Sequence, residues 1–367
     1  MPESTTFSKL FDILKGEAPL LDVRSPIEFS RGAIPGSINL PLLDDEQRRV
    51  IGICYRKSGR SEAIKLGHQL ISGNLKSSRI KSWKKFFEKN PKGIICCYRG
   101  GLRSRITQEW LASVGIDCSM VSGGYKALRR SCINILDSVC SQNEIIVVSG
   151  KTGTSKTEIL TNISSAIDLE GIASHRGSAF GRRLRPQPTQ INFENQIAID
   201  LLRIDSPSGQ SIFIEDESSS IGSLSIPTNL FYQMKNAPIA LIEASIEKRV
   251  DKILKDYIIS NYHEFHYHDP KNSLTLFSEF LLSSLWRIKK RLGEKNYRAV
   301  KKNMDDILQP PNTEEAMKSH QKWIYILITE YYDPMYKYQL EKKSHRIIFR
   351  GDKAEFLRWS READKII

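Results

Sequence analysis

The chain has 367 residues, enough for two or three units that each bury a core, since domains usually run to roughly 100 to 200 residues. With 40% hydrophobic and 26% charged residues it falls in neither the disordered nor the fibrous class. The formal net charge is +13, and the basic residues are clustered, with Arg176, Arg182, Arg183 and Arg185 in one run and Lys289, Lys290 and Arg291 in another, so a polyanion such as nucleic acid leads among partners.

The start, MPESTTFSKL, lacks a cationic stretch before a long apolar core, and nowhere do about 18 apolar residues run together, so the expectation is a cytoplasmic protein with neither signal peptide nor membrane span. From the N-terminus to about residue 135, short apolar runs alternate with helical patterns: PLLDV, IKLGHQLI, GIICCY, ITQEWLASVG and SMVSGGY. That alternation predicts a mostly parallel sheet covered on both faces. The six cysteines (Cys54, Cys96, Cys97, Cys118, Cys132 and Cys140) lack paired CxxC spacing, which argues against a zinc site and, in a reducing compartment, against a disulfide framework.

GIICCY ends at a loop. Cys97 follows an apolar run, and Tyr98, Arg99, Gly100, Gly101, Leu102, Arg103 and Ser104 lead into a helical pattern. Such a loop points backbone N–H groups inward, adds the positive end of a helix dipole and closes with an arginine fork, which makes an anion cradle with a thiol at its base. The same field favours the thiolate, the nucleophilic form. Gly100 and Gly101 let the backbone approach an anion or take positive φ. Cys96, one residue earlier on an extended strand, points the opposite way, into the core.

After SCINILDSVC a second strand-like run, EIIVVSG, opens a second α/β unit, so the expected division is 1–136 and 145–367. Gly150, Lys151, Thr152, Gly153, Thr154, Ser155, Lys156 and Thr157 nearly spell a P-loop, whose amides wrap a diphosphate or triphosphate while Lys156 and Thr157 meet phosphate and Mg²⁺. Ser155 stands where glycine normally precedes the lysine. The stretch HRGSAFGRRLRPQPTQINFENQ, residues 175 to 196, is dense in Arg, Gly and amides, and is expected to be an ordered functional loop in which His175, Arg176, Arg182 and Arg183 lie over the phosphate site or along an RNA groove. Then IFIEDES delivers Glu215, Asp216 and Glu217 at a strand end, where carboxylates hold Mg²⁺ or act as a base. From about 245 the spacing is helical, as in IEKRVDKILKDYIISNY and SEFLLSSLWRIKKRL, which predicts a helical extension on the second unit, interrupted by PPN at 310–312 and closed by a late strand in HRIIFRG. His263, His266 and His268 do not complete a metal shell, so no firm metal site is expected.

LLDVRSPIEFSRGAIPGSINLP at 20–41, the CYRGGLRS loop and VSGGYKALR together resemble a rhodanese domain, which carries sulfur or selenium on its loop cysteine. The resemblance implies Asp22 and Arg24 as supports of the loop. The loop is one residue longer than in ordinary sulfurtransferases and has the Cys-x5-Arg length of protein phosphatases, suited to a tetrahedral anion. Followed by a P-loop unit with HRGSAFG, QPTQINFENQ, EDE and YYDPMYKYQLEKK, it is similar to the tRNA 2-selenouridine synthase family over nearly the whole chain. Ser155, and Ser219 in place of an arginine, depart from that pattern.

The resemblance implies an α/β chain with an N-terminal rhodanese-like domain, then a P-loop α/β domain with a helical C-terminal extension. It implies a tRNA-modifying enzyme that converts 2-thiouridine at the wobble position of the anticodon to 2-selenouridine. Geranyl diphosphate first alkylates the sulfur, and selenium from selenophosphate then replaces the geranylated sulfur through a Cys97 perselenide, with selenophosphate synthase as a further partner. The P-loop serves geranyl diphosphate or an ATP or GTP switch, and other prenyl lengths stay open. Two other classes stay open on the residues alone: a Cys-x5-Arg phosphatase and a nucleotide-gated RNA-binding protein.

Overall fold

A computed structural model describes residues 7–142, 144–204, 211–305, 310, 311 and 313–362. The first six residues, the side chain of Cys140 and Asn312, all used above, lie outside the described positions. The chain divides into two units, Met1–Ser138 with Thr189–Arg203, and Val139–Pro188 with Ile204–Ile367.

The first unit holds a four-stranded parallel sheet made of β1 (Leu20–Asp22), β2 (Ile38–Asn39), β3 (Ile94–Cys96) and β4 (Ser119–Met120), in the order β2-β1-β3-β4. Its strands are short apolar runs with both faces covered, as parallel pairing requires, and the register sets Leu21 opposite Ile95 and Asp22 opposite Cys96. Leu21, Val23, Ile95, Leu111, Trp83, Phe86 and Phe87 form the core beneath. The helix Asp45–Leu70 starts with a capping box from Asp44 and Gln47, and an extended-backbone turn at Gly59 (φ 80, ψ −176) breaks it into two.

Residues 190–196 are not loop. They open a helix, Gln190–Arg203, with Phe193, Ile197 and Leu201 buried at four-residue spacing. The apolar stripe runs past residue 196, so a window closed there sees the polar half and misses the period. This helix belongs to the first unit. Asn195 donates to Ala33 O (2.8 Å), Asn192 Oδ1 accepts from Ala33 N (2.7 Å), and Arg129 grips Glu194 and Asn195.

The second unit is built on a five-stranded parallel sheet: β5 (Ile145–Gly150), β6 (Ala166–Ile167), β7 (Ile212–Glu215), β10 (Ile239–Ile242) and β11 (Ile347–Gly351), in the order β11-β10-β5-β7-β6, with β8 (Ser220–Ile221) and β9 (Leu224–Ser225) as a separate hairpin. Strand β5 is buried throughout and lies between β10 and β7, so the chain crosses to opposite sides of it and a crevice opens beyond its carboxyl end. The last third is helical as the spacing predicts, with its own core of Leu281, Leu285, Ile288, Val300, Trp323, Ile324 and Leu327. Among the described residues two stretches are π-helical, Leu254–Ile259 and Ile328–Tyr332, and Ser344–Arg346 is a short 3-10 turn. Among the described residues no helix is long and apolar enough to cross a membrane.

Candidate active sites

In the first unit β3 is a central strand, so Cys97 emerges at its carboxyl end with the backbone held on both sides. Tyr125 N donates to Cys97 O (2.8 Å) and Lys126 N to Tyr98 O (3.0 Å), which ties the loop to the start of the helix Gly124–Gln142. Gly100 (φ 62) and Gly124 (φ 61) face each other across this seam: a Cβ on Gly100 would collide with the Val121 carbonyl, and one on Gly124 with the Cys97 carbonyl. The VSGG turn is therefore the seat of the thiol loop. Gly101 is different, since it has φ −104 and open space where a Cβ would stand, leaving the mouth of the loop unobstructed at the helix N-terminus Leu102–Ala112.

Cys96 is fully buried and donates to Cys97 O (3.3 Å), and burial pushes its thiol far up, as suits a core residue. Asp22 and Arg24 form a buried pair: Arg24 Nε reaches both Asp22 oxygens (3.0 and 2.9 Å), Nη2 donates to Gly32 O (2.9 Å), and the guanidinium lies 3.7 Å from the centre of the Tyr125 ring. Tyr125 is the residue whose amide holds Cys97 O, so this pair buttresses the loop from behind. Ser104 is buried, whereas Tyr98, Arg99 and Leu102 are exposed at the mouth. Arg103 points to Glu28, with Nη1–Oε2 at 2.5 Å and Nη2–Oε1 at 3.2 Å, and Arg48 approaches the same carboxylate at 3.0 Å. Burial alone would raise the Glu28 pKa, but hydrogen bonding and charge from Arg103 hold it at about 2. A carboxylate thus occupies the fork that the sequence assigns to a substrate anion.

In the second unit residues 150–157 wrap the end of β5. A Cβ on Gly150 would stand 2.6 Å from Thr154 Oγ1 and 2.8 Å from Ile242 O, and one on Gly153 (φ 86) 2.7 Å from Arg249 O, so both positions need glycine. Ser155 adopts φ 65, ψ 30, the left-handed conformation that glycine takes without strain. Lys156 Nζ donates to Gly150 O (2.9 Å), and Thr157 Oγ1 donates to Glu215 Oε1 (3.1 Å). Burial opposes the Lys156 charge, yet Tyr336, Glu170, Glu215 and Glu217 around it raise its pKa on balance.

Glu215, Asp216 and Glu217 at the end of β7 part company because successive side chains at a strand end project to opposite sides. Glu215 turns to Thr157 and accepts from Glu170 N (2.9 Å), and Glu217 joins that side. Asp216 faces away, accepting from Ser149 Oγ (2.7 Å) and Lys343 Nζ (2.9 Å). In its place stand Asp168 and Glu170, which sequence reading missed. Burial pushes the carboxyls of Glu170 and Glu215 up to about 8, reinforced at Glu170 by the Glu217 charge and at Glu215 by the Glu170 charge, and burial with the Glu215 charge takes Glu217 to about 7. Thr157 and Glu215 fit a Mg²⁺ that also binds phosphate oxygens, because that ion keeps few protein ligands. Among the described residues no group of three or more His, Cys, Asp or Glu has the spacing of a metal cage.

Also missed was the clamp behind the loop. Arg249, nearly fully buried, donates to Thr152 O (2.9 Å) and to both Asp333 oxygens (2.9 and 2.5 Å), and Lys151 adds a bond to Asp333 (3.2 Å). Asp333 lies in YYDPMYKYQLEKK, where the sequence signal was present without a role. His175 to Arg182 form a tight turn closed by Arg176 N→Gly181 O (2.9 Å). Arg176 bonds Asn261 (3.0 Å) and lies 5.0 Å from the Tyr257 ring centre; Arg182 reaches Ser283 (3.5 Å). Buried His175 is kept neutral by burial and then by Arg182, Arg287 and Arg183. His263, His266 and His268 are exposed on one helix.

A family profile described as "tRNA 2-selenouridine synthase AAA domain" matches residues 143–366, and one described as "Rhodanese-like domain" matches residues 6–131. A curated protein of Marinobacter nauticus, named tRNA 2-selenouridine synthase, is 41% identical over 361 residues, 98% of each chain. Proteins of the same name from Pseudomonas syringae pv. syringae (44% identical, 94% of this chain and 95% of the relative) and Photobacterium profundum (43% identical, 94% of each) are similarly close.

Proposed function

Since the chain belongs to the tRNA 2-selenouridine synthase family, we propose that it forms 2-selenouridine at the wobble position of tRNA, in two reactions divided between the two anion loops. The observation that carries this reading is the pairing, on one chain, of a strand-end cysteine whose loop is tied to the start of a helix with a second strand-end loop that brings Lys156 and Thr157 beside Glu215.

In the second unit Lys156 and the amides of residues 150–157 bind geranyl diphosphate. The 2-thiouridine sulfur attacks the first carbon of the chain, the carbon–oxygen bond breaks, and diphosphate leaves with its charge neutralised by Lys156. A bound Mg²⁺, held by Thr157 and Glu215, would neutralise that leaving group further. Alkylation matters because a thiocarbonyl is a poor leaving group, whereas the alkylated carbon 2 is electrophilic and releases geranylthiol. Arg176, Arg182 and Arg183 are assigned to tRNA phosphates beside this site.

In the first unit selenophosphate binds in the loop from Cys97 to Ser104. Arg103 exchanges Glu28 for the phosphate, and Arg99 at the mouth supplies a second cation. Cys97 attacks selenium to give a perselenide; the selenium–phosphorus electron pair departs with phosphorus, so the phosphorus product is phosphite. The outer selenium then attacks carbon 2, geranylthiolate leaves, and a thiol cleaves the sulfur–selenium bond. The Cys-x5-Arg length favours a second reading, in which Cys97 attacks phosphorus instead, selenide departs to attack carbon 2, and water clears the phosphocysteine as phosphate. The identity of the phosphorus product separates the two. In either, Cys97→Ser abolishes selenation and leaves geranylation, whereas Lys156→Ala abolishes geranylation; nucleoside mass spectrometry of the treated tRNA reads both.

A further inference from the structure

Beside Thr152 of the phosphate loop lies a small cavity of about 20 Å³. Its walls are apolar and aromatic: Phe180, Ile253, Trp323, Leu327 and Ile328, with Tyr257, Tyr332 and Ser178 at the rim. Phe180 stacks on Trp323 at 5.9 Å. The side chain of Ser178 lies beside the Tyr257 and Tyr332 hydroxyls. Both π-helical stretches among the described residues border this one cavity, Leu254–Ile259 through Tyr257 and Ile328–Tyr332 through its two end residues. Such turns are rare, carry an extra residue within the helix, and are frequent at functional sites.

We propose that this cavity is the closed form of the site for the apolar chain of an isoprenoid diphosphate whose diphosphate sits in the 150–157 loop, and that it opens at the two π-helical stretches. The inference rests on the reading that this loop holds geranyl diphosphate. Three features point to that occupant. The lining offers an apolar chain mostly aliphatic and aromatic contacts, the rim adjoins the phosphate loop at Thr152, and no charged side chain lines the walls. As it stands the space holds about one water, and a ten-carbon chain needs roughly tenfold more, so side chains from both π segments must move apart. Relaxing either extra residue into α geometry turns Tyr257 or Tyr332 about its helix axis, which is the motion required.

The test is calorimetric titration of the full-length protein with geranyl diphosphate and, separately, inorganic diphosphate. Because burying each methylene is worth about 0.8 kcal/mol, the expected result is geranyl diphosphate binding at least about tenfold tighter than inorganic diphosphate. Leu327→Trp, which fills the cavity, should remove that advantage and leave inorganic diphosphate binding unchanged. Leu327→Ala, which enlarges it, should shift preference toward the fifteen-carbon diphosphate and covers the case in which the tryptophan variant does not fold. Folded variants that keep wild-type affinity and chain-length preference would overturn the inference. If Lys156→Ala leaves the binding of both diphosphates unchanged, the assignment of the phosphate loop itself fails.

Discussion

Ser155 holds the left-handed conformation (φ 65, ψ 30) in the turn of the phosphate loop, where a side chain crowds its own carbonyl. That conformation costs a non-glycine residue about 1–2 kcal/mol. Glycine there removes the strain but loses about 0.5–1 kcal/mol more to the freedom of the unfolded chain, so Ser155→Gly should stabilise the second unit by about 0.5–1 kcal/mol net. For a unit of this size the transition should rise by about 1–4 °C, measurable by differential scanning calorimetry of the full chain. Ser174 offers the control. It is also left-handed (φ 51), at the end of the helix Leu169–Ala173, and Ser174→Gly should give a similar rise. Diphosphate affinity should be retained in Ser155→Gly, since the amide keeps its direction. If Ser155→Gly melts at or below the wild-type temperature while Ser174→Gly melts higher, the strain argument at position 155 is wrong and the Ser155 hydroxyl stabilises the loop.

Other perturbations probe the remaining parts. Glu28→Gln should destabilise the first unit at neutral pH, because a carboxylate whose folded pKa is depressed to about 2 from 4.5 contributes stability above the higher value; the difference from wild type should vanish as pH falls from about 4.5 toward 2, as followed by urea unfolding. The cluster of Glu170, Glu215 and Glu217 has the opposite sign: their raised pKa values favour the protonated fold, so stability of the second unit should fall as pH climbs from about 4.5 through about 8. Millimolar Mg²⁺ with diphosphate should counter that fall and release protons in calorimetry at pH 7, and Glu215→Gln should suppress the release. Asp333→Asn leaves buried Arg249 without its counter-charge and should cost about 3 kcal/mol of stability, with weaker diphosphate binding because Arg249 also holds Thr152 O; an unchanged melt would remove Asp333 from the clamp.

The parts of the fold that were legible in sequence are those whose signal is local. Strand ends at Cys96, Gly150 and Glu215 follow from apolar runs that stop at glycine or charge, and the family resemblance added which ends carry chemistry. What could not be read depends on contacts between distant segments. Nothing near Glu28 marks it as the partner of Arg103, and Glu170 reaches Thr157 only because β6 and β7 pair. The helix Gln190–Arg203 was hidden by polar residues at its start, whose partners Ala33 and Arg129 lie far back in the chain. The π-helical stretches have no sequence period of their own and read as ordinary helix.

The division of labour between the two loops is tested most directly by single-turnover reaction of Cys97→Ser with 2-thiouridine tRNA, geranyl diphosphate and selenophosphate, followed by mass spectrometry of the nucleosides. The account predicts that S-geranyl-2-thiouridine accumulates and 2-selenouridine is absent. Formation of 2-selenouridine by that variant would contradict it.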